Sequence, residues 1–186
     1  MIAALPHLLP HFLPAMSLCV IAAGGTFDKH YDEIAGKLGF AESVLPAVIA
    51  QSRISQTVRL EVLPLLDSLD MQDADRLHIL GACRRAPEER LIVIHGTDTL
   101  PETAQVLGLA GLAKTIVITG AMIPYEVANS DALFNFGMAV GVAQTLSAGV
   151  HVVMSGQVFS WDNVRKDRTL GVFQPLRDQA SARAWK

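Results

Sequence analysis

Three short polar clusters in this chain hold residue types able to do chemistry. Gly24-Gly25-Thr26 sets a hydroxyl behind two glycines, which let a backbone turn sharply and come close to a ligand. His95-Gly96-Thr97-Asp98-Thr99 sets a second hydroxyl beside a carboxylate. Asp162-Asn163-Val164-Arg165-Lys166-Asp167 brings a lysine among acids. A hydroxyl is a weak nucleophile until a base takes its proton, so such clusters could do chemistry only if the fold brings hydroxyl, carboxylate and lysine together. Each cluster also has a plain structural reading: a tight turn, helix capping and a solvated charged loop. None of the three decides between the readings alone.

His95 follows the apolar stretch Leu91–Ile94 and reads as a satisfied structural histidine, outside the catalytic set. Neither a G-x-G-x-x-G fingerprint nor a G-x-x-x-x-G-K-[ST] phosphate loop occurs. His7 and His11 stand at helical spacing, but Pro10 lies between them and no third ligand accompanies them. No metal site and no cofactor are therefore expected.

The elements that must position these clusters are legible as alternating patterns. Met16–Ala23, Leu91–Ile94, Thr115–Thr119 and Gly149–Met154 are short apolar runs, mostly β-branched, each followed by a polar or glycine break, and Val58–Leu63 is a further strand. Strands apolar on both faces belong to a parallel sheet covered by helices. Apolar spacings of three and four predict helices over Ala41–Ala50, Asp73–Ala86, Leu100–Leu109 and Ala132–Leu146. Thr99-Leu100-Pro101-Glu102 reads as a capping box with Pro in the first turn. His95–Asp98 is then the turn from a strand end to a helix start, the edge where open α/β sheets bind ligands. The expected fold is α/β: three layers, a mostly parallel twisted sheet with helices on both faces.

Composition narrows the classes. The 186 residues suit one domain, with 51% hydrophobic residues and a mean hydropathy of +0.34 that point to a covered core and a subunit interface. A net charge of −3 with no basic block argues against nucleic acid, and no clean apolar span argues for a membrane helix. Two cysteines, Cys19 and Cys83, make no disulfide framework. Residues 1–15 are apolar without Lys or Arg and broken by Pro6, Pro10 and Pro14, which suits an extension rather than a signal peptide and favours the cytoplasm. Residues 16–176 form the expected folded domain and 177–186 a polar tail.

Taken together, the clusters resemble the bacterial-type L-asparaginase family. Gly-Gly-Thr after the first strand, His-Gly-Thr-Asp-Thr in mid-chain, and Gly120-Ala121-Met122 with Pro124 carry the resemblance, which runs from about Leu18 to about Gln174. The chain looks like a short member equivalent to the family's N-terminal catalytic domain. By resemblance Thr26 is the nucleophile and Thr97, Asp98 and Lys166 form the second cluster. Asp67-Ser68-Leu69-Asp70-Met71 looks like the substrate-clamping loop, with Leu69 where relatives carry a polar residue, and Ser130-Asp131 through Asn135 match a structural helix start. The resemblance puts Gly25, Ser68, Gly96, Thr97, Asp98 and Ala121 against the substrate, L-asparagine.

The physical logic agrees. Splitting amide hydrolysis into acyl transfer and attack by water divides one hard step into two. Tyr31, five residues after Thr26, is the candidate to activate it, since nearby positive charge makes a phenolate a competent base. Lys166 would supply that charge or, desolvated, act as a base towards Thr97. Backbone N–H groups at Thr26 and Thr97 would stabilise the oxyanion. Asp98 would pair with the substrate's ammonium and Ser68 with its carboxylate. By the resemblance, most relatives continue into a second domain that helps close the site, so either another copy of this chain is expected to close it or the pocket stays open and binds weakly. Two other readings stay open: an amino-acid-binding module without turnover, and an amidase subunit feeding ammonia to a partner enzyme.

Overall fold

Strand β1 (Leu18–Gly24) sends its side chains alternately into two cores: Cys19, Ile21 and Ala23 face one, Leu18, Val20 and Ala22 the other. All seven of its residues are buried, as a central parallel strand requires. The computed structural model describes residues 17–177; the extension 1–15 and the tail beyond Arg177 lie outside the described residues.

Around β1 the main sheet runs β4-β1-β5-β6-β7-β8, with β4 at Val58–Leu66, β5 at Arg90–Ile94, β6 at Thr115–Thr119, β7 at Gly149–Met154 and β8 at Gln157–Ser160. The first five strands in that order pair in parallel, and β8 closes the far edge antiparallel to β7. Pro64 sits in β4, which is an edge strand and so tolerates a missing N–H donor. Two hairpins stand apart from this sheet: β2 (Lys29–Asp32) with β3 (Lys37–Phe40), and β9 (Arg165–Asp167) with β10 (Val172–Gln174).

Four helices cover the sheet. Helices α2 (Asp73–Arg85) and α3 (Leu100–Leu109) bury Ile79, Leu80, Ala82, Leu100, Ala104 and Leu107 on one face. Helices α1 (Leu45–Ser52) and α4 (Ala132–Thr145) bury Leu45, Val48, Phe136 and Ala139 on the other. The architecture is the three-layer α/β arrangement that the patterns predict. Its connections are not uniform. β5–α3–β6 and β6–α4–β7 step the same way across the sheet, yet their helices lie on opposite faces. The α4 crossover therefore has the opposite hand to the one before it, in a class of connection that is right-handed in about 98% of cases.

Two expectations are corrected. Helix α1 begins at Leu45, not Ala41, because Pro46 belongs in a first turn and the buried Asp28 carboxylate takes the Val44 N–H at 2.7 Å. The capping box at Thr99 does not form: Thr99 is the N-cap of α3, but its hydroxyl donates to Ser68 O at 2.7 Å instead. A capping box does form at α2, between Gln72 and Asp75.

Candidate active site

The loops after β1, β4 and β5 meet backbone against backbone, and glycines make this possible. Gly25 has φ 79, and a Cβ on it would lie 2.3 Å from both Cα and N of Gly96. A Cβ on Gly96 would lie 2.6 Å from Cβ and Oγ of Ser68. One on Gly24 would lie 2.5 Å from N and O of Leu66. No real side chain fits these gaps, so Thr26, Ser68 and Thr97 are each carried on a loop that touches the next. This is the carboxyl edge of the sheet, where such folds hold ligands.

From the other side the β9–β10 hairpin delivers Lys166. Val164 and Phe173 anchor the hairpin in the core at 3% and 4% exposure. The Lys166 ammonium donates to Thr97 Oγ1 at 2.7 Å and to Asp98 Oδ1 at 2.9 Å. Its side chain is 8% exposed, against 32% for that of Asp98, so a nearly desolvated cation is held by a carboxylate that still reaches solvent. The surrounding loops are tied as well. Asp98 N donates to Ser68 Oγ at 3.2 Å, and Asp67 accepts from Lys29 at 2.5 Å and from the Leu69 N–H. The Lys29 hydrogen bond holds the Asp67 carboxyl below the usual carboxylate range. Buried Arg76, on α2, donates to Met71 O and fixes the far end of the loop.

His95 is fully buried. Its Nδ1 lies 2.8 Å from Gly96 O, and a carbonyl can only accept, so Nδ1 carries the proton and Nε2 accepts from the Thr103 hydroxyl at 2.9 Å. Burial pushes its pKa down to about 4. It is a neutral structural histidine.

Thr26 is half-buried and opens a short 3-10 turn, Thr26–Asp28. Tyr31 lies on the β2–β3 hairpin at 64% exposure, and among the described residues no hydrogen bond joins it to Thr26. Ala121 is buried in the loop after β6, whose Met122 and Ile123 N–H groups donate to Asp131 while Asn135 donates to Gly120 O. His30 holds the β2–β3 hairpin down, one ring nitrogen 2.8 Å from Glu126 and the other 2.6 Å from Glu42 O. Burial works to lower its pKa, but these two acceptors outweigh that and raise it. Sequence reasoning singled out neither His30 nor Arg76, nor Arg168, whose Nη2 donates to Asp98 O at 3.2 Å. No motif marks them: His30 and Arg168 act through contacts between distant segments, and Arg76 through a bond back to the loop that precedes its helix.

An open groove of about 560 Å³ adjoins the cluster, with Asp98, Glu102, Gln105, Arg165, Lys166 and Arg168 in its wall; Thr26 and Tyr31 are not part of that lining. A smaller pocket between β4 and α2 shares none of the cluster residues. Among the described residues no group of three or more His, Cys, Asp or Glu could hold a metal, and His7 and His11 lie outside them. Nor, among the described residues, is any helix long and apolar enough to cross a membrane.

A family model described as the N-terminal asparaginase domain matches residues 17–177. The chain belongs to the asparaginase family. Among its asparaginase-family relatives, L-asparaginase 1 of Escherichia coli (strain K12) is 30% identical over 136 residues, which are 68% of this chain and 40% of that protein. The 60 kDa lysophospholipase of Homo sapiens is 34% identical over 144 residues, 74% of this chain and 25% of that protein. The thermostable L-asparaginase from Thermococcus kodakarensis superposes with a TM-score of 0.79 at 26% identity, covering 88% of this chain and 52% of that one. This asparaginase-family chain thus spans about half or less of the length of these relatives.

Proposed function

We propose that the chain is an amidohydrolase that cleaves the side-chain amide of L-asparagine to L-aspartate and ammonia through a threonine acyl-enzyme. The observation that carries this reading is the Lys166 ammonium bonded to both Thr97 and Asp98, on a loop packed directly against the one that bears Thr26. Thr26 Oγ attacks the amide carbon. The C–N bond breaks, and the nitrogen leaves as ammonia with the proton taken from Thr26. Water then splits the resulting ester, returning the proton to Thr26 and releasing the acid. Thr26 and Thr97 N–H groups face the developing oxyanion. Tyr31 takes part only with its exposed hairpin bent over the cleft.

Asp98, a third exposed, receives the substrate ammonium. The Ser68 hydroxyl, which accepts from Asp98 N, keeps its own proton for the substrate carboxylate. Gly25, Gly96 and Ala121 shape the wall. Glutamine differs by one methylene, worth only about 1–3 kcal/mol of discrimination, so weak glutaminase activity accompanies the main one. We place the chain in a reducing cytoplasm, in keeping with its free, buried Cys19 and Cys83, and as a homo-oligomer joined through exposed apolar residues such as Leu77, Leu109 and Phe134.

Thr26→Ala tests the reading. Ammonia release from asparagine should vanish while the thermal midpoint stays put; turnover like that of the wild type in this variant would overturn it.

A further inference from the structure

Asp98 is held by two cations, and only one belongs to the expected cluster. Lys166 donates to Oδ1 at 2.9 Å. Arg168, two residues further along the same hairpin, sets its Nε 3.9 Å from that same Oδ1 and its Nη2 3.2 Å from the Asp98 carbonyl. Both cations therefore lie at one carboxylate oxygen, Oδ1, of a side chain that is a third exposed and lines the groove.

The base of the Arg168 side chain is itself fixed. Asp167 Oδ1 accepts the N–H groups of Thr169 and Leu170, each at 3.0 Å, and Asp167 O accepts that of Gly171 at 2.8 Å, where φ is +66. The turn so pinned directs the guanidinium onto the 95–98 loop. A planar guanidinium presents its N–H donors in a fixed fork, so it lies against a carbonyl and beside a carboxylate with its geometry set in advance.

We propose that Arg168 is a positioning and specificity-determining residue: it orients Asp98 so that Oδ2 meets the α-ammonium of the substrate. This rests on the hydrolase reading above. Arg168 is 59% exposed, so its charge is largely screened and its effect is chiefly one of orientation. The alternative, a cation that simply repels the substrate ammonium, predicts the opposite sign.

The experiment compares ammonia release by the full chain from asparagine and from succinamate, the same amide without the ammonium. Arg168→Ala should raise the KM for asparagine about fivefold and leave its kcat within about twofold. Turnover of succinamate should not change, and Arg168→Lys should recover part of the loss. An unchanged or lower KM for asparagine, or equal losses on both amides, overturns the role of Arg168 while leaving the hydrolase intact. A wild-type chain that releases ammonia from neither amide removes the hydrolase reading, and this role with it.

Discussion

Lys166 and Thr97, 69 residues apart in sequence, meet at 2.7 Å through a donated ammonium proton. A buried cation needs a partner, and Asp98 supplies it at 2.9 Å. The arrangement keeps a lysine almost out of water beside a hydroxyl, where proton transfer between the two requires no movement of the backbone.

Lys166→Met keeps the apolar stem and removes the charge. The kcat for ammonia release should fall on the order of 10²–10⁴-fold, the usual weight of a positioned proton donor or acceptor. Steady-state kinetics on protein shown by circular dichroism to be folded decide this. A kcat within tenfold of the wild type would remove Lys166 from the machinery.

Gly25→Ala should fail for a different reason. Its φ of 79 disfavours any L side chain, and the added Cβ would sit 2.3 Å from two Gly96 backbone atoms that cannot swing aside. We expect a loss of about 1–3 kcal/mol in urea unfolding together with loss of activity. Gly141→Ala is the control: it lies in α4 with nothing within 4 Å of the new atom and should be neutral or stabilising by up to about 1 kcal/mol.

His95 makes stability depend on pH. Its folded pKa, about 4, lies below the ordinary 6.5, so the unfolded chain binds the proton more readily. The stabilisation is complete above pH 6.5 and is lost as pH falls from there towards 4, amounting to about 3 kcal/mol. Urea titrations between pH 7 and 4 should show this slope in the wild type and a shallower one in His95→Gln, whose amide can still bridge Gly96 O and Thr103. Parallel slopes would mean that other groups carry the acid sensitivity.

Much of the scaffold was legible because its elements are long and buried. β6, β7 and α3 occupy the predicted ranges to the residue, since apolar runs and three-four spacing report burial directly. The two hairpins and β8 were not visible: strands of three or four residues such as Lys29-His30-Tyr31-Asp32 and Arg165-Lys166-Asp167 are polar and mix half-buried with exposed positions, so no apolar alternation marks them. The same limit applies to the site. Motif residues Thr97, Asp98 and Lys166 come together, but Arg168 acts through the backbone carbonyl of Asp98, 70 residues away, a relation that residue type does not encode. Thr99 shows how a sound local signal loses: the hydroxyl suited to a cap finds Ser68 O closer to hand.

The β9–β10 hairpin lies outside the main sheet and is moored chiefly by Val164 and Phe173. Segments of this sort open locally at a lower free energy than global unfolding. Heat or mild denaturant would then draw the lysine out of the cleft while the six-stranded sheet is still whole. Catalysis and native spectroscopy would part company, with the first lost early and regained at once on cooling.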